Sequence, residues 1–97
     1  MLDKMRQLME VKRQAEQLKR ELDSSNIEVN DVQGIKIVIN GSQNFLSLDI
    51  DDRLLSLENK NKIKNDLLNS LNTAIKKSQN LATQKMKEMT GLNIPGF

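Results

Sequence analysis

Paired cations recur near the N-terminus at a spacing that suits the neutralisation of phosphate groups. Lys12-Arg13 and Lys19-Arg20 stand seven residues apart, so on a helix the two pairs fall on the same angular sector. A helix that presents cations at this interval can neutralise successive phosphates of a nucleic acid. Ten basic residues near the two ends of the chain form the candidate set, called the candidate cations below: Lys4, Arg6, Lys12, Arg13, Lys19, Arg20, Lys76, Lys77, Lys85 and Lys87.

The same charges have a simpler interpretation as a solvated helix face. Glu16 lies three or four residues from Arg13, Lys19 and Arg20, a spacing at which side chains on a helix pair. Intrahelical ion pairs of this kind would leave less charge for a phosphate partner. On the residues alone, both interpretations stay open.

Charge is separated along the chain, although the formal net charge is only +2. Residues 1–22 carry six basic and four acidic side chains, a net charge of +2. Residues 23–52 carry one basic and six acidic, a net charge of −5, and residues 53–97 carry eight basic and three acidic, a net charge of +5. The pattern predicts a polyanionic partner that the ends of the chain attract and the middle repels.

The composition removes most catalytic and metal chemistry. Cys and His are absent, so thiolate sites and the commonest general base are excluded. Asp49, Asp51 and Asp52 are the nearest approach to a metal cluster, but a hard cation needs about six oxygen ligands, and no further motif supplies them. These carboxylates are better interpreted as a helix start and a solvated strand face. We expect no catalytic residue, no metal, no cofactor and no small-molecule substrate.

Nothing in the sequence indicates a membrane or secretory route. No run of about 18 apolar residues is present, so no membrane span is expected. The N-terminus lacks the apolar core and cleavage site of a signal peptide. Together with the absence of Cys, this favours a cytoplasmic protein.

The central stretch from Gly34 to Asp51 has the alternation of a β-hairpin. Apolar and polar residues alternate on each side of Asn40-Gly41, two residue types that tolerate the positive φ of a tight turn. The loop over 40–44 predicts a bulged hairpin or one of four to five loop residues. The face expected to be buried comprises Ile35, Ile37, Ile39, Leu46, Leu48 and Ile50.

Helices are predicted on both sides of this hairpin. Residues 2–22 contain no Gly or Pro and carry a near-heptad apolar stripe that includes Leu8, Val11, Ala15 and Leu18. A single α+β domain over 1–97 follows, with an N-terminal helix, a three-stranded antiparallel meander and a long C-terminal helix. The expected bounds are helix 2–22, strands 27–32, 34–40 and 45–50, a short helix 52–55, a long helix 57–89 that uses Leu67 and Leu71, and a tail 90–97.

The length of the last helix predicts a homodimer. A helix over 57–89 would extend about 50 Å, whereas a compact domain of this size has a radius of gyration of about 12–13 Å. The end of that helix must therefore overhang, break or pack on another copy of the chain. One helix layer also leaves the second face and the edges of a three-stranded sheet uncovered. A second copy with protruding helices would resolve both problems.

Several segments together give the chain a family resemblance. They are MRQLMEVKRQAEQLKREL at 5–22, IKIVINGSQNFLSLDID at 35–51, Leu54-Leu55, LNTAIKKS at 71–78 and MTGLNIPGF at 89–97. With these segments the chain resembles the YbaB/EbfC family of nucleoid-associated proteins over almost its whole length. It departs from the family pattern at residues 31–34, where a Gly-rich run is usual, and at Asp52-Arg53, where Asp-Pro is frequent. It also carries Lys60 and Lys62 in a segment that is commonly acidic.

The resemblance implies a tweezer-shaped homodimer that binds double-stranded DNA and helps to organise the chromosome or regulate genes, without catalysis. The family occurs in bacteria and in plastids, so the nucleoid of either would fit. No helix-turn-helix pattern is visible, so contacts are expected mainly to the phosphate backbone.

Two alternatives remain. A prefoldin-like chaperone also places a β-hairpin between two helices, although it needs longer heptad arrays than a first helix of about 22 residues provides. A protein-interaction module is the other. Flexible Met side chains cluster at the chain ends, at positions 1, 5, 9, 86 and 89, where they suit a helix–helix or dimer contact, with a peptide-binding groove as the further possibility. Added salt would separate these possibilities, since DNA binding should collapse and a hold on unfolded clients should persist.

Overall fold

The computed structural model describes residues 2–90. Its three strands form an antiparallel sheet in the order β1-β2-β3, and the second helix packs on one face of that sheet. The predicted α+β order of helix, three-stranded meander and long helix is confirmed. The elements are α1 (Leu2–Ser24), β1 (Asn26–Val29), β2 (Ile35–Asn40), β3 (Phe45–Ile50), a 3-10 turn (Asp52–Leu54) and α2 (Lys60–Thr90).

The N-terminal elements differ from the predicted bounds for local reasons. Helix α1 extends to Ser24, and the hydroxyl groups of Ser24 and Ser25 donate to the carbonyl oxygen of Glu21 at 3.1 and 2.6 Å. Strand β1 ends at Val29 rather than at residue 32, because a turn follows in which Gly34 has a φ of +92°.

The long helix begins at Lys60 rather than at residue 57. Asn59 precedes it, and the Asn59 carbonyl accepts the first helical hydrogen bond, from the Ile63 N–H at 2.8 Å. The predicted tail and its glycine stop, at residues 91–97, lie outside the described residues.

The core lies between β1, β2 and the middle of α2. Ile35, Ile37 and Ile39 are fully buried with Val29 of β1 and Ala74 of α2. Half-buried apolar residues pack around this cluster, among them Leu67 and Leu71. The alternation in β2 therefore places its isoleucines against the helix.

A stripe of small residues brings α2 close to the sheet. Ser70, Ala74 and Ser78 recur every four residues and are all buried. The Ser70 hydroxyl donates to the Asp31 carboxylate at 2.7 Å, and the Ser78 hydroxyl donates to the Asn40 carbonyl at 2.8 Å. Each end of the sheet is thus tied to α2 by a hydroxyl whose burial is compensated by its hydrogen bond.

Strand β3 is not covered as the alternation predicted. Leu48 and Ile50 oppose Ile37 and Ile35 in the register, so they face the side on which α2 lies. Leu46 and Leu48 nevertheless remain 51% and 49% exposed, and Ile50 is half-buried. The reason is width: a helix about 10 Å across covers two strands spaced about 4.8 Å apart, and α2 packs over β1 and β2.

The hairpin has the predicted length, but its turn works differently. Four residues separate β2 from β3, and the register shifts between Val38 and Ile39, as a bulge requires. The positive φ predicted for Asn40 and Gly41 is wrong, since the left-handed residue of this turn is Gln43, at a φ of 65°. The Asn40 side chain organises the turn instead, its Oδ1 accepting the N–H groups of Ser42 and Asn44 at 3.0 Å each.

The molecule is elongated. Its extents are 67 × 25 × 16 Å and its radius of gyration is 18.5 Å, against about 12.5 Å for a compact chain of this length. Helix α2 is continuous over its 31 residues, or about 46 Å. Of the three outcomes that the helix length allowed, the structure has the overhang. Neither helix within residues 2–90 combines the length and apolarity that crossing a bilayer requires.

Candidate nucleic-acid interface

Helix α1 presents its candidate cations on an exposed surface. All six of them are exposed. On the helix, the three arginines lie away from the stripe of Leu8, Val11, Ala15 and Leu18, whereas Lys12 and Lys19 border it and Lys4 lies within it. Arg6, Arg13 and Arg20 recur every seven residues, so they line one side at intervals of about 10.5 Å. Lys12 and Lys19 form a second, parallel row one residue earlier.

One arginine in this row has a carboxylate partner. Arg13 donates to Glu10 at 2.7 Å, and this hydrogen bond raises the pKa of the guanidinium. The alternative interpretation paired Arg13 with Glu16, but the carboxylate one turn earlier takes the arginine, and Glu16 has no ion pair within residues 2–90. The pair is 73% and 50% exposed at its two side chains, so it is weak and can exchange for a phosphate.

Helix α2 divides its candidate cations into two pairs. Lys76 and Lys77 are exposed, whereas Lys85 and Lys87 are half-buried near the end of the helix. Lys85 lies with Arg13 in a cleft of about 380 Å³ where α1 and α2 diverge. The fold therefore brings these two candidate cations together, although residues 76 and 77 lie elsewhere on the helix. Three carboxylates share the cleft, so its interior has mixed charge: Glu10, Glu21 and Glu88.

Ion pairing is distributed unevenly over the molecule. Three cations of the sheet and of the segment that leads into α2 have carboxylate partners: Lys36 pairs with Glu28 at 3.3 Å, Arg53 with Asp51 at 2.6 Å and Lys62 with Asp66 at 2.9 Å. Lys60 and Lys64, at the start of α2, have no carboxylate partner among residues 2–90. Among residues 2–90, nine of the ten candidate cations have no carboxylate within 4.0 Å, Arg13 being the exception. Free positive charge is concentrated on the helices.

Hydrogen bonds lower the pKa of two carboxylates near the sheet, those of Asp51 and Glu28. Hydrogen bonds from the Arg53 side chain, and then from its backbone N–H, lower the pKa of Asp51 to about 2. A hydrogen bond from Asn30, followed by Lys36, lowers the pKa of Glu28. This region therefore repels a polyanion. Asp51 also caps the 3-10 turn, as predicted for a helix start, and within residues 2–90 no three carboxylates gather into a metal-binding group.

The apolar residues predicted for core or dimer contacts fall into two groups. The isoleucines of β2 are in the core, with Leu67 and Leu71 packed against it. In α1, Leu18 is half-buried, whereas Leu8 and Val11 are 70% and 63% exposed and Ala15 is exposed. These α1 residues form one exposed apolar surface.

A second exposed apolar surface is a groove at the edge of the sheet, called the β3 groove below. Its lining residues are Ile37, Phe45, Leu46, Ser47, Leu48 and Leu71.

Of three polar residues that matter structurally, the sequence marked only Asn40, and that as a turn residue, whereas Ser70 and Ser78 were not singled out. Asn40, Ser70 and Ser78 are 5%, 1% and 0% exposed and hold the hydrogen bonds between α2, the turn and the sheet. The sequence signal for Ser70 and Ser78 is a stripe of small residues spaced four apart and centred on Ala74, which is typical of a helix face in close contact with a neighbour. The leucines beside this stripe give a stronger apolar pattern, so the sequence alone favours the leucines as the buried face.

Two protruding helices with unpaired cations, set on an acidic sheet, are typical of a small α+β protein that binds an anionic polymer. The family model for the YbaB/EbfC DNA-binding family matches residues 1–93, and the chain belongs to this family. The resemblance deduced from the sequence is thereby confirmed.

Relatives support the same assignment. A nucleoid-associated protein of Pelotomaculum thermopropionicum is 31% identical over 95 residues, covering 96% of this chain and 90% of the relative. One from Moorella thermoacetica is 28% identical, covering 96% and 91%. One from Prochlorococcus marinus strain MIT 9301 is 35% identical over 96 residues, covering 91% and 78%.

Proposed function

We propose that this protein is a nucleoid-associated, non-catalytic protein that binds double-stranded DNA as a homodimer, mainly through the phosphate backbone. It would act in the nucleoid, in chromosome organisation or gene regulation. The observation that carries the proposal is the uneven ion pairing within residues 2–90: three of the five cations outside the candidate set have carboxylate partners, against one of the ten candidate cations. The family and the names of the relatives support DNA as the polyanion.

Phosphate contact is favoured over base reading by the way the arginines are presented. Helix-turn-helix proteins read bases by seating one helix in the major groove while a second helix crosses the backbone. Here α1 projects from the sheet, and its arginines follow a row about 10.5 Å apart, which can follow backbone charge. Discrimination between sequences should accordingly be modest.

The β3 groove supports the homodimer. Its lining includes no charged side chain, and Leu46 and Leu48 are about half exposed. Leu68 of α2 is 58% exposed, one residue after the half-buried Leu67. Strand β3 is also an edge strand, and such edges are normally covered. A second copy with the same groove can cover it in an isologous contact, and the dimer would carry each basic surface twice.

The test is binding to random-sequence duplexes over a salt series, read by fluorescence anisotropy. If about four to six phosphates are neutralised, log K should fall with log salt at a slope of about −4 to −5. Duplexes of unrelated sequence should give similar affinities. No binding to duplex DNA at low salt would refute the proposal. Salt-resistant binding of an unfolded client protein would then favour the chaperone alternative.

A further inference from the structure

The hairpin turn touches α1 through a glycine. The Gly41 N–H donates to two carbonyl oxygens at the end of α1, that of Leu22 at 2.9 Å and that of Ser25 at 3.0 Å. Gly41 is itself buried. A helix whose terminal carbonyls are bound in this way is fixed in position at its base.

The preceding residue connects the same turn to both helices. Asn40 is 5% exposed, and its side-chain amide donates to the Asp23 carbonyl of α1 at 3.3 Å. Its backbone carbonyl accepts the buried hydroxyl of Ser78 of α2 at 2.8 Å. Ser42, the residue after Gly41, donates its hydroxyl to the Asp23 carboxylate. The three residues 40–42, called the anchor below, therefore bind the base of α1 and the middle of α2 together.

The contact at Gly41 leaves no room for a side chain. A Cβ at this position would lie 2.9 Å from Leu22 Cδ2, 3.1 Å from the Leu22 carbonyl oxygen and 3.2 Å from Leu22 Cα. The side-chain atom could rotate away, but the two backbone atoms could move only with the helix. Helix α1 extends about 35 Å from this point, so a tilt of about 5° at the base would move its tip on the order of 3 Å.

We propose that the anchor is a positioning element that sets the angle between α1 and α2, and with it the spacing of the two sets of candidate cations. The inference rests on the proposed DNA-binding function. Its residues act through the helices that they hold and do not touch DNA. The cleft where the two helices diverge is lined mainly by polar and charged side chains, so apolar packing within this cleft does little to fix their angle.

The opposite end of the sheet supplies matched controls. Gly34 lies just before β2, and Gly41 lies just after it. Gly34 has a φ of +92°, and a Cβ at this position would lie 2.7 Å from Leu54 Cδ1. Ser70 binds Asp31 there as Ser78 binds Asn40 at the anchor. Changes at this end should disturb the sheet to a similar degree but leave the base of α1 untouched.

The experiment measures the distance between the two helices directly. The chain contains no Cys, so Gln7→Cys and Gln84→Cys place one spin label on each helix. Mixing with excess unlabelled protein restricts double electron–electron resonance to the distance within one chain. Gln7 lies 15 residues from Leu22, or about 22 Å along the helix, so the same tilt predicts for Gly41→Ala a shift of about 2 Å or more in this distance. Ser78→Ala should broaden the distance distribution. Gly34→Ala and Ser70→Ala should lower the melting temperature and leave the distance unchanged.

Binding to a random duplex supplies the second readout. Gly41→Ala should weaken it by at least about fivefold and reduce the salt slope by about 1, as fewer phosphates are reached. Gly34→Ala should bind as the parent does. An unchanged distance in both Gly41→Ala and Ser78→Ala overturns the inference, as does a changed distance with unchanged affinity.

The two proposals can fail separately. If Gly41→Ala does not fold, the Ser78→Ala and Ser70→Ala pair decides the role of the anchor. If the parent does not bind DNA, the proposed function fails, while the spin-label distances still show whether the anchor sets the helix angle.

Discussion

Ile37 and Leu48 face each other across the β2–β3 pair, yet Ile37 is 0% exposed and Leu48 is 49% exposed. The two side chains point to the same face of the sheet, and α2 covers only the first. Full burial of a leucine side chain stabilises a fold by about 1.5–3 kcal/mol. The half-exposed Leu48 lacks a substantial part of this stabilisation. A second copy of the chain on the β3 groove would recover it.

Leu48→Asp should therefore abolish the dimer, or unfold the chain if dimer and fold are coupled. A charge in a closed apolar contact has no partner and must be desolvated. Light scattering should give twice the chain mass of 11.1 kDa for the parent and the single mass for the variant. Leu57→Asp is the matched control, because Leu57 is 92% exposed and outside the groove. A folded dimer of Leu48→Asp would assign the contact to another surface.

Acid should remove a contribution to stability that depends on Asp51. Its pKa is about 2 in the fold against an ordinary value of 3.8, because Arg53 binds the carboxylate. A lowered pKa stabilises the fold above the ordinary value, and this stabilisation is lost as pH falls through about 2. The difference in unfolding free energy between the parent and Asp51→Asn should therefore be constant above pH 3.8 and shrink towards pH 2.

Urea titrations at several pH values measure this difference. Asn at position 51 can still accept the backbone N–H of Arg53, so the comparison isolates the charge. Arg53→Ala removes the partner of Asp51, so it should suppress the same pH dependence of the unfolding free energy. A difference that stays constant down to pH 2 would show that the pair does not affect folding.

The sequence predicted those parts of the fold that depend on local periodicity. Alternation marked β2 and β3, and a Gly-free and Pro-free stretch marked α2, because side-chain period follows directly from backbone geometry. It did not predict that Leu46 and Leu48 would stay half exposed, because coverage depends on where a helix crosses the sheet. The position at which a helix crosses a sheet depends on tertiary packing, and no periodic pattern in the sequence reports it.

Residue type predicted some features for the wrong reason. Asn40-Gly41 was placed correctly in the turn, but Gly41 is needed for its approach to Leu22 rather than for its φ. Similarly, Glu10 and Glu16 both lie three residues from Arg13, so spacing alone could not choose between them, and the structure selects Glu10. The role of Gly41 depends on a contact between distant segments, and the partner of Arg13 depends on the rotamer that its side chain adopts.

Removing the partner of Arg13 should strengthen DNA binding. Glu10→Gln deletes the carboxylate that holds the guanidinium at 2.7 Å and removes a negative charge from the basic row. Affinity for any duplex should rise about two- to fivefold at low salt, the scale of one exposed charge contact, and the gain should fade with added salt. Glu16→Gln is the control for net charge, since Glu16 holds no candidate cation among residues 2–90. Equal gains in the two variants would show that only net charge matters and that the pair does not restrain Arg13.

Lys12→Ala/Arg13→Ala should weaken binding to every duplex alike. Phosphate contacts carry no sequence information, so the loss should not depend on the sequence used. Two fewer neutralised phosphates should flatten the salt slope by about 2, and the difference from the parent should disappear at high salt. Lys36→Ala is the matched control, because this lysine lies on the sheet and is paired with Glu28 at 3.3 Å. It should leave both affinity and slope unchanged. If the double variant binds as tightly as the parent at every salt concentration, α1 is not the contact, and the exposed lysines of α2 become the surface to test.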